Sequence, residues 1–82
     1  MVRFAFYGKL ADLMGRRCDF ECAQQKISVG AAIALLCETD PAFKEALLRT
    51  TVKFAVNDVI VETEFIVAAG DEIAVLPPFS GG

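Results

Sequence analysis

Apolar and polar residues alternate with a period of two at the start of the chain, over residues 2–7. This pattern predicts a strand, because successive side chains of a strand point to opposite faces. The face predicted to point into the core holds Val2, Phe4 and Phe6. The face predicted to point outward holds Arg3, Ala5 and Tyr7.

Four further segments are typical of strands: 17–23, 52–56, 59–61 and 72–76. In the first, the inward residues are Cys18, Phe20 and Cys22, and the outward residues are Asp19 and Glu21. In the second, the inward residues are Val52, Phe54 and Val56, and the outward residues are Lys53 and Ala55. Asn57-Asp58 is predicted to form a two-residue hairpin turn into 59–61, and residues 62–69 are predicted to be a loop.

Three segments have helical spacing. The first begins after Gly8, carries Leu10, Leu13 and Met14 on one side, and ends at Gly15. Ser28 is a suitable N-cap for a second helix at about 29–38, whose apolar stripe is Val29, Ala32, Ile33 and Leu36. Asp40-Pro41 begins a third helix near 41–48, which carries Phe43 and Leu47. The second helix is longer and more apolar, so it is expected to cover the sheet.

The first connection decides the fold class. It is too short for the crossover that joins two parallel strands, so strands 1 and 2 are expected to be antiparallel. We therefore predict an α+β sheet with helices packed on one face.

The chain has 82 residues, of which 55% are hydrophobic, and a net charge of −3. This indicates one domain with a real core. Its eight basic residues are scattered, which argues against a nucleic-acid partner. Neither a secretory leader nor a run of about 20 apolar residues is evident, so we expect a cytoplasmic protein that does not enter a membrane. The absence of histidine removes the commonest general base and metal ligand.

The three cysteines, Cys18, Cys22 and Cys37, are interpreted as small core hydrophobes. Cys18 and Cys22 would lie about 13 Å apart along one strand, which is too far for a disulfide. A nucleophilic or sulfur-carrying cysteine is the alternative, and it would need an electropositive, partly exposed setting.

The last thirteen residues form the most informative stretch. Gly70-Asp71 predicts a turn and 73–76 a short apolar strand, after which Pro77-Pro78 ends the pairing. We therefore divide the chain into a domain at 1–76 and an extended tail at 77–82. Six residues at roughly 3.1–3.5 Å each reach about 20 Å, deep enough to enter a partner's active site. The alternative is an inert terminus, since chain ends are often disordered.

A partner surface is predicted on the outward face of the sheet. It combines small residues from three strands with larger apolar residues: Ala5, Ala55, Ala74, Tyr7, Leu76 and, just beyond, Phe79. Small side chains let a partner approach closely and the larger ones would anchor it. The alternative is an ordinary scatter of surface apolar residues.

Two stretches carry a resemblance to a known family. They are Phe54-Ala55-Val56-Asn57 and Gly70-Asp71-Glu72-Ile73-Ala74-Val75-Leu76-Pro77-Pro78-Phe79-Ser80-Gly81-Gly82. With the opening strand and the helix ending in Leu13-Met14-Gly15, they resemble the ubiquitin-like β-grasp sulfur carriers, among them the small subunits of molybdopterin synthase. The resemblance covers nearly the whole chain and implies a β-grasp fold with an extended Gly-Gly tail.

The resemblance also implies a chemistry at the terminus. Gly82, next to Gly81, would carry an acyl-adenylate and then a thiocarboxylate, and would pass sulfur to cyclic pyranopterin monophosphate to build the dithiolene of molybdopterin. The implied partners are the large subunit of molybdopterin synthase, an adenylating enzyme of the ubiquitin-activating type that uses ATP, and a sulfur donor protein. Together with the outward-face pattern, this gives the predicted partner-binding residues Leu76, Pro77, Pro78, Phe79, Ser80, Tyr7, Ala55 and Ala74. No permanently bound cofactor and no metal are implied.

Three other functions share the same tail. A thiamine-pathway sulfur carrier is usually shorter and lacks the first helix, so residues 10–14 argue against it. A ubiquitin-like protein modifier would join its terminus to lysines of target proteins. An inert β-grasp interaction module would use only the surface.

Overall fold

A computed structural model describes residues 2–20 and 26–77. The strands of this part are β1 (Val2–Phe6), β2 (Arg17–Phe20), β3 (Lys26–Ser28), β4 (Lys53–Val56), β5 (Val59–Val61), β6 (Ile66–Ala68) and β7 (Glu72–Leu76). The helices are α1 (Lys9–Met14), α2 (Val29–Thr39) and α3 (Pro41–Arg49).

The main sheet has the strand order β2-β1-β7-β4-β5. The two ends of the chain meet at its centre, where β1 and β7 pair in parallel. The other pairs are antiparallel, including β1 with β2, as the short first connection predicts. The result is a mixed sheet with helices, which confirms the β-grasp expectation.

A second, smaller sheet corrects the prediction that residues 62–69 form a loop. There β6 pairs antiparallel with β3, and Ile27 lies opposite Val67. Each strand has three residues and contributes one buried side chain, Ile27 or Val67. Such short segments carry no alternation that the sequence alone can reveal.

Side-chain caps and a tight turn set the element boundaries, as predicted. Ser28 Oγ accepts a hydrogen bond from the Ala31 amide at 3.1 Å and so begins α2. Asp40 Oδ1 accepts bonds from the amides of Ala42 and Phe43 and begins α3. The β4–β5 hairpin turns at Asn57 and Asp58, whose φ angles of 52° and 67° suit a type I′ turn.

The core lies between the helices and one face of the sheet. Its fully buried side chains include Phe4, Phe6, Phe43, Ile73, Val29, Val67 and Val75. The rings of Phe6 and Phe43 meet edge to face with their centroids 5.6 Å apart, which links β1 to α3. All four residues of the predicted α2 stripe are buried.

Cys18 and Cys37 are free thiols that pack, partly buried, against this core, which agrees with a packing role. Cys22 and the predicted strand end at 21–23 lie outside the described residues. Within residues 2–20 and 26–77, the helices are too short or too polar to cross a bilayer.

Candidate functional site

The outer face is the side of the main sheet opposite Phe4, Phe6, Ile73 and Val75. Three alanines form a row across its centre, because Ala74 on β7 lies opposite both Ala5 on β1 and Ala55 on β4. The row is extended by Arg17 on β2, opposite Ala5, and by Ile60 on β5, opposite Ala55. Residues that lie directly opposite each other on neighbouring strands point to the same face of the sheet. The row therefore has small side chains in the middle and large side chains at both ends.

The alanines are less exposed than the outward pattern suggests. Ala5 keeps 3% of its surface exposed and Ala55 keeps 7%. A methyl side chain is shorter than its neighbours, so the larger side chains around the row shade it. The small residues therefore form a floor, and a partner would contact the rim before the floor.

One depression of about 390 Å³ collects four of the predicted surface residues, whereas Ala5 lines a different depression. The lining of the 390 Å³ depression includes Tyr7, Ala55, Ala74 and Leu76, which come from β4, β7 and the end of β1. The lining also includes residues that the sequence analysis did not single out: Asn57, Asp58, Ile60 and Glu72. Ile60 is the most informative of these, being 51% exposed. The sequence feature that could have identified Ile60 is the Asn57-Asp58 turn. This turn fixes the register between β4 and β5 and so places Ile60 opposite Ala55.

Charged side chains stand beside this apolar floor. Arg17 Nη1 lies 3.1 Å from Glu72 Oε2, and the two side chains keep 75% and 35% of their surface exposed. An ion pair this accessible to water contributes little to stability. Both groups can therefore exchange their contact for one with a partner at small cost.

The tail leaves the domain from the central strand of the main sheet. Strand β7 pairs with β1 on one side and β4 on the other. Beyond the end of β1, the Tyr7 amide still donates to the Val75 carbonyl at 3.3 Å. Pro77 then lies at a groove of about 320 Å³, the tail-base groove, lined by Tyr7, Gly8, Lys9, Leu10, Thr50, Val52 and Pro77.

The other tail residues of the predicted site, Pro78, Phe79, Ser80, Gly81 and Gly82, lie outside the described residues. Their predicted roles remain predictions. The described structure fixes only the point from which they start.

The setting of Cys37 does not activate its thiol. Burial raises the pKa of the Cys37 thiol, and the nearby Lys44 charge opposes this only in part. A raised pKa keeps the thiol protonated at neutral pH, and a thiol is a weak nucleophile compared with a thiolate. Among the described residues, no group of three or more Cys, Asp or Glu side chains is placed to hold a metal ion.

Comparisons with protein families and solved structures identify relatives of this chain. The ThiS family matches residues 5–82. Small archaeal modifier protein 1 from Haloferax volcanii superposes with a TM-score of 0.72 and 26% identity, over 99% of this chain and 98% of that chain. No curated protein matches by sequence.

Two further solved structures share the fold. A Pyrococcus furiosus protein assigned as molybdopterin converting factor subunit 1 has a TM-score of 0.76 and 23% identity, covering 94% of this chain and 95% of that one. A complex of subunits 1 and 2 of molybdopterin-converting factor from Helicobacter pylori contains a chain with a TM-score of 0.66 and 22% identity, covering 99% of this chain and 97% of that one. The family match spans nearly the whole sequence and the topology agrees with it, so the chain belongs to the ThiS family of ubiquitin-like β-grasp sulfur carriers.

Proposed function

We propose that this protein is the sulfur-carrier subunit of a molybdopterin synthase and that it carries sulfur as a thiocarboxylate on Gly82. The observation that supports this most is the position of β7. This strand is held between β1 and β4, borders the apolar outer face, and continues directly into the tail. A rigid exit beside a docking surface is what a chain needs to present its end to a partner's active site.

The chemistry begins at the α-carboxylate of Gly82 in the mature chain. With a reference pKa of about 3.3–3.7, this group is an anion at neutral pH and a poor electrophile. On an adenylating enzyme, its oxygen would attack the α-phosphorus of ATP and release pyrophosphate. A sulfide equivalent from a sulfur donor protein would then attack the acyl carbon, AMP would leave, and a thiocarboxylate would remain.

The protein itself contributes binding and orientation. The sequence has no histidine, and burial raises the pKa of the Cys37 thiol, so the partners would supply the acids and bases. Two terminal glycines suit a narrow channel because they have no side chain. The protein would work in the cytoplasm. It would hold no permanent cofactor, because the adenylating enzyme binds and consumes the ATP.

The large subunit would bind the outer face and accept the tail. The fold shared with a chain in the complex of subunits 1 and 2 of molybdopterin-converting factor supports such a partner. Tyr7, Ala55, Ala74 and Leu76 would make the contacts nearest the tail, and Ile60 would extend them to the sheet edge.

Protein modification is a second candidate function. It is favoured by the 26% identity to small archaeal modifier protein 1 over 99% of this chain. A lysine amine of a target protein would then attack the acyl carbon of the Gly82 adenylate, AMP would leave, and an amide bond would form. Activation of the terminus is common to both functions, and only the acceptor differs.

The test is to give the activated protein each acceptor in turn. Charged protein with the large subunit should convert cyclic pyranopterin monophosphate to molybdopterin. A variant extended by one alanine after Gly82 should be inactive although its circular dichroism is unchanged. Thiazole formation with thiamine enzymes and no molybdopterin would reassign the pathway, and amide-linked conjugates with no sulfur transfer would establish the modifier function instead.

A further inference from the structure

Gly8 and Pro77 lie next to each other at the tail-base groove. A Cβ atom placed on Gly8 would lie 3.3 Å from Pro77 Cγ and 3.4 Å from Pro77 Cβ. The first distance is shorter than ordinary van der Waals contact, so a side chain at position 8 would push the proline ring by a few tenths of an ångström. The glycine therefore lets the proline ring lie directly against the backbone.

The backbone on both sides of this contact is fixed. Gly8 has a φ of 65° and is the N-cap residue of α1, and its carbonyl accepts a bond from the Ala11 amide at 3.1 Å. On the tail side, the bond from the Tyr7 amide to the Val75 carbonyl holds the chain two residues before Pro77. The contact is thus made between two segments that have little freedom to move away.

We propose that Gly8 is a positioning residue for the tail: its contact with the Pro77 ring sets the direction in which the chain leaves the domain at Pro77. The inference rests on the proposed function, because direction matters only if Gly82 must reach a reaction centre. Proline passes the direction on, since its ring fixes φ near −65° and a second proline follows it.

A small displacement at Pro77 becomes a larger one at the terminus. Moving the ring by about 0.3 Å, one Cα step of about 3.8 Å beyond Leu76, turns the chain direction at Pro77 by roughly 5°. For a tail held extended in a partner's channel, five further residues at about 3.1 Å each would carry this turn to a displacement of about 1 Å at Gly82. A misplacement of that size can lower a rate by about a hundredfold, and the two terminal glycines would absorb part of it. We therefore expect a loss of roughly tenfold.

Gly15 provides the matched control. It lies at the other end of α1 with a φ of 80°, and a Cβ there would meet nothing within 4 Å. Gly8→Ala and Gly15→Ala both place a side chain at a positive φ that favours glycine, at the two ends of the same helix, but only Gly8→Ala meets Pro77. Both variants should melt at similarly lowered temperatures. Well below those temperatures, kcat/KM for adenylation should fall roughly tenfold in Gly8→Ala and stay within twofold of wild type in Gly15→Ala.

Removing the proline ring tests the contact itself. In a Pro77→Ala background the Cγ atom is gone, so adding Gly8→Ala should lower kcat/KM no more than adding Gly15→Ala does. Equal losses in the two single variants would overturn the positioning role. An extra loss in Gly8→Ala that persists without the proline ring would overturn it as well.

Nuclear magnetic resonance gives a readout that needs no enzyme. The amide signals of residues 79–82 should shift in Gly8→Ala and stay in place in Gly15→Ala. Unmoved tail signals in both variants would refute the inference even if the wild-type protein carries sulfur. Shifted signals in a protein that no adenylating enzyme accepts would uphold the contact while refuting the proposed function.

Discussion

Replacing Ile60 with aspartate should separate partner binding from folding. Ile60 lies at the rim of the outer-face depression, opposite Ala55, and is 51% exposed. Its exposed half contributes nothing to the core of the free protein but becomes buried if a partner covers the face. Ile60→Asp should therefore weaken binding of the large subunit much more than it lowers stability.

The size of the effect follows from the exposed fraction. Burying a whole isoleucine side chain contributes about 1.5–3 kcal/mol, so burying the exposed half on binding would contribute about 0.8–1.5 kcal/mol. An unpaired carboxylate at the same place adds a desolvation cost of at least the roughly 1–3 kcal/mol of a neutral polar group. A total of at least about 2 kcal/mol corresponds to a Kd weaker by roughly 30-fold or more.

Val59→Asp is the control variant. Val59 is the neighbouring residue on β5, is 61% exposed, and points to the opposite side of the strand. Both substitutions place an aspartate in the same short strand, so the cost in strand propensity is shared. Isothermal titration calorimetry should show weak binding for Ile60→Asp and near wild-type binding for Val59→Asp. Unchanged affinity for Ile60→Asp, or equal losses in both, would mean that the partner does not cover this face.

Three further outcomes are expected. Phe43→Ala removes a fully buried ring and its contact with Phe6, which should cost about 3–5 kcal/mol, and chemical denaturation showing less than 2 kcal/mol would contradict this packing. Asp40→Ala removes the acceptor of two α3 amides and should cost about 0.5–2 kcal/mol, whereas Asp40→Asn should retain most of that in the same assay. Cys37 should react with iodoacetamide more slowly than a free cysteine at pH 7.5, because its raised pKa leaves less thiolate. The difference in rate should shrink as the pH rises. Equal rates at pH 7.5, measured by peptide mass spectrometry, would refute this.

The parts of the fold that the sequence could predict are those with local signals. Helix α2 has an N-cap serine and a four-residue apolar stripe, and α3 has an aspartate-proline start. Strands β1 and β7 show a clear period of two, and the inward residues are those found in the core. The small sheet was not predictable, because the pairing of 26–28 with 66–68 depends on long-range packing of Ile27 and Val67.

The residues of the candidate site also divide into those with a local sequence signal and those that depend on the fold. Strand periodicity was enough to place Ala5, Ala55 and Ala74 on one face, but the depth of the floor depends on neighbours from other strands. Ile60 required the register of the hairpin, and the contact of Gly8 with Pro77 required the parallel pairing that brings the two ends of the chain together. Properties that depend on which strands are neighbours follow from topology, not from local pattern.

The central claim is that sulfur travels on the carboxyl terminus and not on a cysteine. The direct measurement is the intact and peptide mass of the protein after incubation with ATP, an adenylating enzyme and a sulfur source. The account predicts a gain equal to one oxygen-to-sulfur exchange, located on the peptide that ends in Gly82. The gain should also occur in a folded variant in which Cys18, Cys22 and Cys37 are all alanine. A persulfide on one of these cysteines, with an unmodified terminus, would contradict it.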